Sequence, residues 1–343
     1  MTEHFTDGAF TSLQPAGPKA SVGTALTHIL SVDVEDYFQV EAFADEVSRE
    51  SWDQRPCRVA GNTQRVLDLF DEYQARGTFF FVGWVAERFP ELVREVQSRG
   101  HELACHSYWH RTVYSLSPGE FREDTRRARQ TIEDAAGVPV IGYRAPSWSI
   151  TKDCLWALDI LAEEGFIYDS SIYPIRHDLY GVPGAQRFPY TRVCGNGLQL
   201  REFPPATLRF MGNNLPVAGG GYLRIFPSIY NELAFRIFEK NYRQRVVVYL
   251  HPWEIDPEQP RIRGKLKSRF RHYTNLRQMR ARVAALLKAH RFERFCDVLA
   301  ADDALARSAA KSSSQSTVPA PQDTEGSLPP APRVAVLQRE GQS

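Results

Sequence analysis

The sequence predicts an α/β fold built on a parallel sheet, and three observations carry that prediction. Short apolar runs alternate with amphipathic stretches of helical spacing in steps of roughly 25 to 35 residues, the rhythm of parallel β/α units. The apolar runs are near-continuous, as in residues 78–82 (TFFFV), which marks strands covered on both faces. Several of them end in reactive polar residues, and parallel β/α folds bind ligands at the carboxyl ends of their strands. An open doubly wound sheet and a closed barrel both satisfy this rhythm. No glycine-rich dinucleotide fingerprint follows any strand, which weakens the nucleotide-binding option.

In order along the chain, His28–Val34 (HILSVDV) reads as a strand that ends in acids. Residues 63–76 place Val66, Leu67, Phe70 and Tyr73 at helical spacing, and Gly77 stops that helix. Residues 78–82 form the next strand. A short helix over 90–99 has proline at its start and Gly100 after its end. Residues 101–106 (HELACH) form the third strand. Ser117, Pro118 and Glu120 make a capping box that opens a helix running to Gly137. Strands over 138–143 and 166–169 flank a helix over 153–164 closed by Gly165, and 245–251 (RVVVYLH) is the last clear strand. Glycines and prolines break the rhythm over 170–225, which is expected to be a long loop or insertion shaping the mouth of a site.

Composition bounds the function. The chain has 343 residues, 43% hydrophobic and 24% charged, as in ordinary soluble globular proteins. A formal net charge of +1 gives no global pull towards nucleic acid or an anionic membrane. The basic stretch over 261–271 reads as a solvated surface. Cys57, Cys105, Cys154, Cys194 and Cys296 are odd in number, widely spaced and without a CxxC pair. A thiolate zinc site of the usual spacing is therefore absent, and reduced, buried thiols in a reducing compartment are expected. The N-terminus lacks the basic start and apolar run of a signal peptide. No stretch approaches the roughly 18 apolar residues of a membrane span, so no span is expected and the cytoplasm is the default location. Residues 1–26 read as a flexible lead-in, 27–305 as the folded body, and 306–343, rich in Ser, Pro, Ala and Gln, as a disordered tail.

Four strand ends carry chemistry: Asp33 with Glu35 and Asp36, His106 followed by His110, Arg144, and His251. Asp33 and Glu35 share one side of a strand because side chains alternate. Alone, such acids read as a solvated turn. The apolar run before them, with Tyr37 and Phe38 after, argues for a lined cleft. His106 and His110 form an HxxxH pair that, on a helical turn, brings two imidazoles to one ion. Two histidines plus one carboxylate suit a divalent metal with positions left open. In isolation the pair is as readily two histidines on an aromatic loop, and a carboxylate from the first strand shifts the balance towards metal. Arg144, ahead of a proline-stiffened loop, would keep a carboxylate ionised and oriented, with a structural ion pair as the competing reading. His251, backed by an apolar wall, suits a general acid.

In their order, the motifs SVDVED, HSYWH, RAPSW and LHPWE resemble the polysaccharide deacetylase family, also called the NodB-homology or carbohydrate esterase family 4 domain. The DVEDYF start, the GGGYLR stretch and RHYTNLRQM are similar to the subgroup associated with exopolysaccharide clusters linked to exosortase sorting. The resemblance implies a distorted (β/α)7-type barrel. It implies Asp33 as general base, His106 and His110 as metal ligands, His251 as general acid, and Arg144 orienting Asp33. The first motif departs from the family, in which most members have two adjacent aspartates and the second binds metal. Here Val34 follows Asp33, and either Glu35 or Asp36 is the carboxylate ligand. The implied reaction is metal-dependent hydrolysis of the N-acetyl group of an amino sugar in a polysaccharide or its precursor. Zinc is the first choice of ion, with cobalt, nickel and manganese as alternatives. Tyr37, Trp148 and Trp253 would wall the sugar, whose apolar faces favour aromatic contact. Two other readings are a related amidohydrolase opening a cyclic imide or ureide, and a non-catalytic carbohydrate-binding barrel. The intact acid–His–His set argues against the first, the intact acid–base pair against the second.

Overall fold

A computed structural model of the chain describes residues 26–315, with side chains through Arg307. The strands are β1 (His28–Val34), β2 (Thr78–Phe81), β3 (Glu102–Cys105), β4 (Gly142–Tyr143), β5 (Tyr168–Asp169), β6 (Tyr190–Val193), β7 (Gln199–Glu202), β8 (Thr207–Phe210), β9 (Asn213–Pro216), β10 (Val247–Leu250) and β11 (Phe292–Glu293). The helices are α1 (Val59–Glu72), α2 (Gly83–Arg88), α3 (Pro90–Ser98), α4 (Pro118–Ala136), α5 (Trp156–Glu163), α6 (Gly220–Ile225), α7 (Ser228–Ile237), α8 (Leu266–Tyr273), α9 (Leu276–Ala289) and α10 (Phe295–Gln315). The main sheet runs β10-β1-β2-β3-β4-β5-β7-β6, with β11 also on β1. Its pairings are parallel except β6 with β7. Among the described residues β6 and β10 do not pair, so the sheet curls into a half-barrel, the distorted barrel the motifs imply. Partial closure comes from Gly219, which bridges to Tyr249 in parallel sense. A Cβ on Gly219 would lie 1.8 Å from the Tyr249 ring, so only glycine lets the two backbones meet.

Alternation along the strands sorts the core into two layers. Leu30, Val32 and Val34 of β1 face the helices, together with Phe79 and Phe81 of β2. Ile29, Phe80, Ala104 and Val247 point into the curl, where Phe295 and Val298 of α10 plug the lower end. Each buried Phe or Leu contributes about 1.5–3 kcal/mol. Continuing up the inner side of β1 from Ile29, the next positions are Ser31 and Asp33. The polar site is therefore the upper end of the same column of inward side chains.

Several sequence expectations change. The strand expected over 138–143 shortens to Gly142–Tyr143, because Pro139 has no N–H to give a ladder. α1 starts at Val59 rather than 63, since the Asp36 carboxylate accepts from the N–H groups of Arg58 and Val59 and so caps it from a distance. The helix expected over 153–164 begins instead as a 3-10 turn over Lys152–Cys154, before α5. The capping box of Ser117 and Glu120 is present, and Gly137 ends α4 at φ 70°. Of the expected loop or insertion over 170–225, residues 170–189 are irregular and bring His177, Leu179 and Tyr180 to the wall of a cavity, while 190–225 form two antiparallel strand pairs followed by α6. Gly195 and Gly197 sit where the chain turns between β6 and β7, and Gly219 to Gly221 open α6.

α10 continues to Gln315, ten residues beyond the expected boundary at 305. The rest of the expected tail, from 316, and the lead-in over 1–25 lie outside the described residues. All five cysteines are free; Cys105, Cys154 and Cys194 are buried, whereas Cys57 is exposed. Among the described residues no helix is long and apolar enough to cross a membrane.

Candidate active site

Asp33 emerges at the top of β1, 1% exposed. Arg144, fully buried after β4, donates from Nη1 to Asp33 Oδ1 at 2.6 Å and to Ser31 Oγ at 2.9 Å. Its other nitrogens donate to the carbonyl and hydroxyl of Ser170, and its guanidinium lies 4.2 Å over the Phe80 ring. The arginine is thus fixed on every side, and it leaves Asp33 one free oxygen, Oδ2.

The histidine segment is a loop, not the helical turn its spacing suggested. Ser107 and His110 adopt φ of 64° and 50°, left-handed values costly for non-glycine residues. Asp124 of α4 holds the loop by accepting from Ser107 Oγ (2.7 Å), Tyr108 N (2.7 Å) and Trp109 N (3.2 Å). Arg49 clamps it from outside by donating to the carbonyls of Trp109 and His110. His106 Nδ1 donates to the Arg144 carbonyl at 2.7 Å, which leaves the Nε2 lone pair free. Burial pushes His106 down to about 4, so the ring is neutral, as a ligand must be.

Glu35, His106 and His110 offer ligand atoms that all lie within 4.8 Å of one another. Glu35 Oε2 sits 2.6 Å from His110 Nε2, yet Glu35 Oε2 is buried without a hydrogen-bond partner. Close approach without hydrogen-bond geometry is what two ligand atoms aimed at one cation present. Burial would raise the Glu35 carboxyl, but His110 and His251 outweigh it and hold it well below the usual carboxylate range. The donor set of two imidazoles and one carboxylate fits zinc and its neighbours. A second cluster, His28 with Glu239 and His290, has similar spacing. There His28 Nδ1 accepts from Val246 N, so Nε2 carries the hydrogen facing Glu239 and has no lone pair for an ion.

Opposite the histidine loop stands His251, after β10. Its Nε2 is 3.9 Å from Asp33 Oδ2 and 3.6 Å from Glu35 Oε1. Its Nδ1 faces Glu254 Oε2 at 3.1 Å, and its backbone N–H donates to the same oxygen at 3.0 Å. The other Glu254 oxygen accepts from Arg224 Nε at 2.6 Å. Burial opposes charge on His251, but Glu35, Glu254 and Asp33 prevail and raise it to about 9. Trp253 stacks on His251 and His272 and donates from Nε1 to Glu35 Oε1 at 3.1 Å.

The groups that face one another line one cavity of about 220 Å³, with Arg144, Asp124 and Glu254 behind its wall. Asp33, Glu35, His106, His110 and His251 are all on its wall, and so are Trp148 and Trp253. Two expectations do not fit. Asp36, the competing ligand, faces away from the cluster: its carboxylate accepts from the N–H groups of Tyr37, Arg58 and Val59 and from Cys57 Sγ. Tyr37 is 1% exposed and packs edge-on against Phe38 in the outer core, off the cavity wall. Alternation along β1, continued past its end, puts Asp33 and Glu35 inside and Asp36 outside, whereas Tyr37 leaves the wall because β1 ends at Val34 and the chain turns at 37–38. Sequence reasoning missed Glu254, Arg224 and Asp124. Only Glu254 left a signal, its i+3 spacing from His251.

If the cluster holds metal, Asp124→Ala is expected to weaken binding by about 10–100-fold, because loop support orients the ligands. Titration of the purified protein with zinc checks this; unchanged affinity would remove Asp124 from the metal's support.

Residues 48–162 match the family model described as polysaccharide deacetylase, and residues 170–300 match a domain of unknown function, DUF3473. The chain is 29% identical over 108 residues to the peptidoglycan deacetylase of Helicobacter pylori, covering 32% of this chain and 36% of that one. It is 28% identical over 100 residues to the chitooligosaccharide deacetylase of a Bradyrhizobium species, covering 29% and 43%. The chain thus spans less than half the length of these curated relatives. Among solved structures, a Mycobacterium smegmatis chain assigned as a polysaccharide deacetylase is similar with a TM-score of 0.55 and 22% identity, covering 86% of this chain and 96% of that one. PuuE allantoinase is similar with a TM-score of 0.54 and 15% identity, covering 87% and 96%. At these identities both likenesses speak for the fold alone.

Proposed function

Residues 48–162 of this chain belong to the polysaccharide deacetylase family, and from that premise we propose that the protein is a metal-dependent hydrolase that removes the N-acetyl group of an amino sugar in a polysaccharide or its precursor, in exopolysaccharide biosynthesis. One observation carries the reading. A buried carboxylate and two histidines converge with their ligand atoms within 4.8 Å of one another, and Asp33 and His251 flank them on the same cavity. A barrel that only bound carbohydrate would have no use for that arrangement.

Glu35, His106 and His110 would hold the ion, zinc first, with an open side towards the cavity. When bound, the ion supplies Lewis acidity to the acetamide carbonyl and acidifies water. Asp33 Oδ2 accepts the proton of the attacking water, while Arg144 fixes the carboxylate through Oδ1. His251 carries its proton on Nε2 and delivers it to the departing amine nitrogen. Glu254 anchors the opposite ring nitrogen and favours the charged form. Trp148 and Trp253 border the sugar with apolar surface. No covalent intermediate is required.

The test is acetate release from N-acetylhexosamine oligomers and their precursors by protein reconstituted with zinc, cobalt, nickel or manganese. Acetate formation that depends on the ion is the expected result. Binding of less than one equivalent of metal, or turnover of a cyclic ureide without acetate release, would overturn the proposal.

A further inference from the structure

We propose that α8 docks the mouth of the cavity on an anionic lipid surface. The argument begins with charge. Residues 261–271 carry Arg261, Arg263, Lys265, Lys267, Arg269 and Arg271, in a chain whose whole net charge is +1. The first five are exposed. Asp45 pairs with Lys265 at 2.8 Å and Asp178 with Lys267 at 2.5 Å, and Glu46 lies beside Gly264. Among the described residues Arg261, Arg263 and Arg269 pair with no carboxylate, so this face keeps unneutralised positive charge.

Apolar surface is the second observation. Leu266 is 81% and Phe270 61% exposed. They are four residues apart, hence neighbours on one face of the helix. Leu179, 49% exposed, belongs to the same rim, where its neighbour Asp178 joins Lys267. A solvated basic helix has no use for Leu266 and Phe270, and neither has a surface built only for a soluble polyanion. Cations flanking exposed apolar side chains on a helix match a headgroup layer, with the cations at lipid phosphates and the apolar groups at the acyl boundary.

Position is the third. His272, the buried side chain of α8, stacks on Trp253 with ring centroids 4.0 Å apart, and Ser268 and Arg271 line the cavity. A surface held by α8 therefore lies at the opening through which substrate enters. The docking itself does not depend on the catalytic reading. With that reading, it makes the substrate an acetylated sugar presented from a membrane.

The experiment is co-sedimentation of the full chain with vesicles of phosphatidylcholine mixed with phosphatidylglycerol, against phosphatidylcholine alone. The wild type is expected to bind the anionic vesicles about tenfold more tightly, and less so as salt rises. Leu266→Ser with Phe270→Ser, and separately Arg263→Gln with Arg269→Gln, should each lose about tenfold with unchanged melting. Absent or charge-independent binding overturns the proposal, and so does wild-type binding by either double variant. It is equally overturned if light scattering without lipid finds a dimer that the Leu266/Phe270 variant dissolves, since a second copy would then cover the patch. None of these readouts uses acetate release, so their failure leaves the hydrolase reading standing.

Discussion

Asp33→Asn is expected to lower acetate release by about a thousandfold while the protein still binds its metal. The replacement keeps the shape and an oxygen for the Arg144 guanidinium, which now lies 2.6 Å from Oδ1. It removes the basic oxygen facing the cavity. Arg144 then stays buried without a counter-charge, so some stability is lost as well, and kinetics belong below the variant's own melting point. The discriminating pair of measurements is kcat for acetate release and bound metal by elemental analysis. Full activity would dismiss Asp33 as base. Loss of metal in parallel with activity would add Asp33 to the proposed ligand set of Glu35, His106 and His110.

Arg224→Met carries the largest expected stability cost. Arg224 and Glu254 are 1% and 0% exposed, and Arg224 also donates to the carbonyls of Thr274 and Arg271. Removing one partner of a buried pair costs about 3–5 kcal/mol, which corresponds to a fall in Tm of roughly 10 °C. The pH dependence gives the assignment its signature. Burial would raise the Glu254 carboxyl, but Arg224 and His251 prevail and lower it from 4.5 to about 2. A depressed carboxyl stabilises the fold fully above its unfolded value and loses that contribution as pH falls through the folded value. The gap between wild type and variant should thus be widest near neutrality and close as pH falls from 4.5 towards 2. Thermal melts across that window test it; a gap independent of pH would mean that Arg224 acts by packing alone.

Much of the parallel sheet was legible because β2 and β10 are apolar runs and β1 is apolar on its outer side, and because Ser117 and Gly137 mark the ends of α4 in the sequence. The four motif ends were legible too, since strand order brings β10, β1, β2, β3 and β4 side by side. What escaped depends on long-range partners. Nothing local in the sequence says that Asp124 will cradle residues 107–109, or that Arg224 will reach Glu254. The HxxxH spacing suggested a helix, but the left-handed backbone at Ser107 and His110 is imposed by tertiary bonds. Asp36 could have been assigned better, because the same alternation that pairs Asp33 with Glu35 turns Asp36 outward; Tyr37 has the inward parity and is carried off the wall by the turn at 37–38.

The site draws on three stretches of chain. Asp33 and Glu35 precede residue 48; His106, His110 and Arg144 fall within 48–162; His251, Glu254 and Arg224 fall within 170–300. Recombination at the borders of the matched segments would therefore part the proposed acid, His251, from the proposed base, Asp33, and the candidate carboxylate ligand, Glu35, from His106 and His110. Each matched segment taken alone carries an incomplete set of these side chains, so the cavity needs the curled sheet together with its late helices.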